Sequence, residues 1–166
     1  MRLMAIDLGD KRTGLAVGDT VTGLVSPAGA LLVPIARRGG ADLLGAIAQA
    51  VDRHGPARLV VGLPLNMDGT EGPRAKAVRA FAQRLASATG LEVDLRDERL
   101  TSADADWAMA RSGLTHGQKK SRRDALAAAA ILRDHLATLG ACAQPDRPQT
   151  RPIQADPPDS RIDTPA

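Results

Sequence analysis

The chain has 166 residues, 43% of them hydrophobic, with a net charge of +3 and a sequence pI of about 9.6. One Trp, one Phe and no Tyr dictate an aliphatic core. They also exclude a single-strand-binding module built on aromatic platforms, so nucleic-acid contact is expected to run through backbone phosphates.

A lone Cys142 rules out an internal disulfide and fits a reducing compartment. No apolar run approaches membrane-spanning length, and the N-terminus enters a strand at once without signal-peptide character. A cytoplasmic protein without membrane contact is expected. Residues 1–140 read as one domain, and residues 141–166 as a Pro- and Asp-rich disordered tail. The stretch from Pro145 carries four Asp and three Arg, so the residues before it hold +4. That surplus is compatible with a polyanionic partner.

Residues 2–7 form an apolar run that ends in Asp7, the signature of a covered central strand. A five-residue turn containing Lys11 and Arg12 leads to a second strand over 13–18, its antiparallel neighbour. Residues 19–26 read as a turn, and Leu31-Leu32-Val33-Pro34-Ile35 as a third, edge strand. Leu43, Leu44, Ile47 and Val51 lie at helical spacing before Gly55-Pro56. Residues 58–62 are a short parallel-type strand, and a long loop follows to Gly72. Pro73 opens a helix that Gly90 stops.

Residues 91–96 alternate strictly and predict a strand with one wet face. A short helix is expected between Asp97 and Gly113, then a basic loop from His116 to Arg123, then an alanine-rich helix from about Arg122 to Leu139. The order predicts an α/β fold: a mixed five-stranded sheet, three strands an antiparallel meander and the rest parallel, flanked by helices. Right-handed crossovers bring the fourth strand beside the first.

Three carboxylates stand out. Asp7 and Glu98 would both lie at the carboxyl rim of the parallel strands, where open α/β sheets bind ligands. Asp97 is an equally placed neighbour of Glu98, and Glu98 also fits a surface ion pair with Arg96 or Arg99. At 100° per residue, Ala128, Ile131, Leu132, His135 and Leu139 fall within roughly 80° of Asp124. Asp124 therefore sits at the margin of the apolar stripe, although Ser121-x-x-Asp124 also matches a capping box. Converging carboxylates repel one another unless a divalent cation neutralises them, and hard oxygen ligands suit Mg²⁺ or Mn²⁺. Two such ions on shared carboxylates are a standard arrangement for phosphodiester hydrolysis.

Four blocks then carry a resemblance. They are Asp7-x-Gly9-x-Lys11-Arg12-x-Gly14-x-Ala16-Val17, the run from Val61 to Ala75 (VGLPLNMDGTEGPRA), Asp97-Glu98-Arg99-Leu100-Thr101, and Asp124-x-x-Ala127-Ala128-x-x-Ile131-Leu132. Over residues 1–139 the chain resembles the YqgF family, also called RuvX. Its members have a ribonuclease H-like fold and are described as Holliday junction resolvases and as nucleases that mature the 5′ end of precursor small-subunit ribosomal RNA. The resemblance implies that Asp7, Glu98 and Asp124 are a catalytic, metal-binding triad for a two-metal site, and it favours Glu98 over Asp97.

Candidate substrate-binding residues are Lys11 and Arg12 on the first turn, Asn66 on the long loop, and Lys119, Lys120 and Arg122 before the last helix. The leading expectation is a metal-dependent endonuclease acting on structured nucleic acid, with pre-16S rRNA maturation first and branched DNA as the alternative. A non-catalytic nucleic-acid-binding factor in transcription or ribosome assembly is a further alternative. An actin-like or sugar-kinase reading of the first turn would need two such domains. A homodimer is compatible with the sequence.

Overall fold

The computed structural model describes residues 1–98 and 116–142. Its elements run β1 (Arg2–Leu8), β2 (Thr13–Asp19), β3 (Val25–Leu31), α1 (Ala41–His54), β4 (Arg58–Leu63), α2 (Pro73–Thr89), β5 (Val93–Asp97) and α3 (His116–Cys142). The sheet order is β3-β2-β1-β4-β5, so β1 is the middle strand. β1 pairs antiparallel with β2 and parallel with β4, and β4 pairs parallel with β5. The expected crossover is therefore present, and β1, β4 and β5 end at one rim.

Side chains of a strand alternate between faces, and here the two faces meet different helices. Met4, Ile6 and Leu8 of β1 pack with Leu59 and Val61 of β4 against Leu43 and Ile47 of α1 and Phe81 and Leu85 of α2. On the other face, Leu3, Ala5, Ala16 and Val60 pack against Ala128, Ala129, Ile131 and Leu132 of α3. Asp7 shares its parity with Leu3 and Ala5. The β1 carboxylate consequently belongs to the α3 face. Alanines on α3 opposite Ala5 and Ala16 on the sheet bring the helix backbone close, which matters for the site below.

Four expectations are corrected. The third strand is Val25–Leu31, not 31–35. Pro27 and Gly29 read as breakers, but an edge strand tolerates both. The ladder with β2 slips between Leu15 and Ala16, so one extra β3 residue is accommodated as a bulge. The apolar run that follows is not a strand; Leu31, Val33 and Ile35 pack on the α1/α2 core while Leu32 is exposed.

The last helix begins at His116, six residues before the expected start. The basic run is helix, not loop, because Gln, Lys and Arg are good helix formers whatever their charge. Ser121 and Asp124 thus lie inside the helix, and the capping-box reading fails. The expected wet face of β5 is covered as well. Asp94 lies 3.6 Å from His135 Nε2, and Arg96 Nε donates to Asp134 at 2.5 Å, both partners being on α3. The short helix expected before Gly113 and the tail beyond residue 142 lie outside the described residues.

The close α3 packing predicts that Ala128→Leu, which adds bulk at a fully buried position, costs about 1–3 kcal/mol in urea unfolding. Unchanged stability would contradict it.

Candidate active site

Asp7 occupies the end of the middle strand with a glycine on each side. Its register partner on β2 is Gly14. On β4, Ile6 pairs with Val61, which brings Gly62 next to Asp7. Both glycines are required by close approach. A Cβ on Gly14 would overlap the backbone carbonyl of Asp124, and a Cβ on Gly62 would overlap the Glu98 carboxylate and crowd Ile131. The missing side chains let α3 rest on β2 at Asp124 and let Glu98 fold across β4.

Strand parity now separates Glu98 from Asp97. Val93 and Leu95 pack with the α1/α2 core, whereas Asp94 and Arg96 pair with α3. Asp97 therefore has the parity of the α1/α2 face. Glu98 follows the strand and contacts Gly62, whose parity with Val60 is that of the α3 face.

The acids perturb one another strongly. Asp7 and Glu98 share a side-chain hydrogen bond. Burial, then the Asp7 charge, push Glu98 from its ordinary 4.5 up to about 7. Asp7 is raised by burial and by the Asp124 charge, while the bond to Glu98 and the Arg74 charge oppose the rise. The shared proton accordingly resides on Glu98, which donates to Asp7. Burial also raises Asp124, against the lowering influence of Arg12, Lys120 and Arg123.

Cations ring the acids. Arg12 Nη1 stands 4.0 Å from Asp124 Oδ2, too long for a hydrogen bond. Both atoms are buried with no hydrogen-bond partner among the described residues. Arg74, at the start of α2, donates to Asp10 Oδ1 at 2.9 Å and to the Leu8 carbonyl at 3.1 Å. It thereby braces the turn after Asp7, and its charge lowers both Asp7 and Glu98. Sequence reasoning missed Arg74, Gly14 and Gly62 as site residues. The available signals were an arginine in the first turn of a helix opening towards the rim, and glycines in the strands on either side of Asp7.

The other candidates are distributed as follows. Lys11 is exposed on the β1–β2 turn, and Lys120 and Arg122 are exposed on α3. Lys119 lies on the same helix, with its side chain outside the description. Asn66 takes part in bracing its own loop, donating from Nδ2 to Thr70 Oγ1 at 2.9 Å.

Among the described residues, no group of three or more His, Cys, Asp and Glu side chains is arranged to hold a metal ion. Glu98 is hydrogen-bonded to Asp7, and Asp124 Oδ2 faces Arg12 Nη1. The donor set nevertheless fits a hard divalent cation. It is all carboxylate oxygen, it is desolvated, and Asp124 Oδ2 is buried without a hydrogen bond.

The family described as "RuvX: Holliday junction resolvase" matches residues 1–138. A protein of Anaeromyxobacter dehalogenans (strain 2CP-C), named "Putative pre-16S rRNA nuclease", is 43% identical over 136 residues, covering 82% of this chain and 96% of its own. One of the same name from Moorella thermoacetica is 40% identical over 144 residues, covering 84% and 97%. Among solved structures, Thermus thermophilus RuvC in complex with a Holliday junction substrate superposes with a TM-score of 0.51 at 15% identity, over 84% of this chain and 96% of that one. Fowlpox virus resolvase with Holliday junction DNA gives 0.52 at 12% identity, over 84% and 99%. At these identities the likeness is one of fold, the ribonuclease H-like architecture of RuvC-type resolvases.

Because a raised carboxylate pKa favours the folded state only while the group is protonated, the metal-free protein should lose stability as pH rises from about 4.5 through about 7. Asp7→Asn removes the charge that helps raise Glu98. The Glu98 carboxyl, followed by ¹³C NMR, should then titrate below 7; an unchanged midpoint would contradict the coupling.

Proposed function

This chain belongs to the RuvX family, and from that premise we propose that it is a divalent-metal-dependent endonuclease. The proposed reaction is hydrolysis of phosphodiester bonds in structured nucleic acid, foremost in 5′-end maturation of precursor 16S rRNA. The observation that carries the reading is the desolvated carboxylate cluster of Asp7, Glu98 and Asp124 at one strand rim, flanked by arginines. Gathering three acidic groups in a partly buried site costs a fold stability; a cation-dependent site has a use for them.

Asp7, Glu98 and Asp124 would hold the cation, Mg²⁺ or Mn²⁺. A divalent cation bound there would supply activation of the attacking water and stabilisation of the leaving oxygen. The remaining work falls to the chain itself. Glu98 gives up its proton when the site is charged. Arg12, released from Asp124, is positioned to take a phosphate oxygen, and Lys11 and Lys120 add positive charge on the approach to it. Arg74 holds the turn behind Asp7 by its bond to the Leu8 carbonyl.

Resolution of branched DNA is the second reading, favoured by the description of the matching family as Holliday junction resolvases. The deciding experiment is a cleavage panel in Mg²⁺ and in Mn²⁺. It offers precursor 16S rRNA leader, unstructured RNA and a four-way DNA junction to wild type and to Asp7→Asn. We expect cleavage of the rRNA leader, and a loss in Asp7→Asn larger than the roughly 10–100-fold typical of outer-shell changes. The variant's thermal midpoint should not fall, since a repelling charge has been removed. Preferential junction cleavage would select the second reading, and full activity in Asp7→Asn would remove both.

A further inference from the structure

Glu98 follows β5 and Asp124 stands on α3, and these two elements meet differently from the rest of the sheet. The buried apolar layer beneath α3 is built on Leu3 and Ala5 of β1, Ala16 of β2 and Val60 of β4. Val93 and Leu95 of β5 pack on the opposite face, with α1 and α2. Apolar packing therefore fixes α3 over β1, β2 and β4 and leaves its β5 side to polar side chains. Ala128 and Ala129, opposite Ala5 and Ala16, set the height of the helix but interlock little. Its tilt towards β5 needs another constraint.

Arg96 supplies it. Its Nε donates to Asp134 Oδ2 at 2.5 Å, and its Nη2 donates to Thr138 Oγ1, one helical turn further on. The Thr138 hydroxyl donates to the Asp134 carbonyl at 3.1 Å, so the two acceptors are held as one unit. Beside them, His135 Nε2 is buried without a hydrogen bond among the described residues and faces Asp94 Oδ2 at 3.6 Å. Arg58 of β4 donates to that same carboxylate oxygen at 3.2 Å. Stability does not account for the clamp. Arg96 and Asp134 keep 25% and 29% of their side-chain surface in water, and ion pairs in contact with water add little.

We infer that Arg96 and Asp134 are positioning residues: they lock β5 to α3 and so hold Glu98 and Asp124 where both reach one cation. The inference rests on the nuclease reading. Arg96 stands two residues before Glu98. Asp134 lies ten residues beyond Asp124, about 15 Å along the helix at 1.5 Å per residue. A tie at that distance acts as a lever: a small change of tilt there moves the Asp124 carboxylate at the rim. Neither residue touches the acids, so any effect on cation binding has to pass through the elements they join.

The test measures Mn²⁺ binding by calorimetry for wild type, Arg96→Met, Asp134→Asn and the double variant. Thermal midpoints, and cleavage of precursor 16S rRNA leader and a four-way junction, are followed in parallel. Arg96→Met keeps the apolar stem, and Asp134→Asn keeps the shape. Each single variant should weaken Mn²⁺ binding about tenfold, and the double variant no further, with midpoints close to wild type. The signs are decisive. By charge alone, losing Arg96 would tighten cation binding and losing Asp134 would loosen it, so weakening by both isolates position. Opposite signs, unchanged binding, or weakening that tracks a fall in the midpoint overturns the inference. Binding and cleavage by wild type with no effect of either variant remove the clamp alone. Weakened variants of a wild type that binds Mn²⁺ but cleaves nothing support the clamp and remove the nuclease reading. A wild type that neither binds nor cleaves removes both.

Discussion

An ionised carboxylate at the end of a central strand is held away from water, and Asp7 has two more acids beside it. Burial is the largest influence on all three, ahead of their mutual repulsion or attraction to cations. The fold answers this in three local ways. Glu98 keeps its proton and donates it to Asp7. Arg74 places a positive charge behind the pair. Arg12 sits over Asp124. Each compensation is local, made by a side chain within reach of the acids. Asp7 is therefore the point where burial, repulsion and compensation meet.

Packing and chemistry meet at two glycines. Gly14 and Gly62 flank Asp7 on the neighbouring strands, and each clears space for the element that supplies another acid. Ala5 and Ala16 on the sheet, facing Ala128 and Ala129 on α3, extend the same principle along the layer. Small-against-small contact sets the helix height, and helix height sets how far Asp124 stands from Asp7. Stability of the α3 layer and geometry of the site are consequently one property. An enlargement several residues from any acid would be felt at the rim.

The fold was legible wherever hydrophobic pattern and punctuation agreed. β1, the turn, β2, the β4 run and the proline-initiated α2 all satisfy both, and the β1–β4 pairing follows from crossover handedness. Legibility fails where a polar run has the look of a loop. The run from His116 to Arg123 is charged and helical, and β3 holds a proline and a glycine that only an edge strand accepts. Asp7 was conspicuous because an acid ending an apolar strand is costly. Glu98 could not be told from Asp97 by phase, since that requires knowing which helices cover each face of β5. Arg74 and the two glycines act through contacts with elements distant in sequence, which no local pattern records.

Coupling between cation binding and proton release is the most direct consequence of a carboxylate cluster that stores a proton. Calorimetric titration of the protein with Mg²⁺ in buffers of different ionisation enthalpy counts that proton. At pH 6.5, below the Glu98 value of about 7, binding should release about one proton, and at pH 8.5 almost none. Binding with no proton release at pH 6.5, or no binding at either pH, would contradict the account.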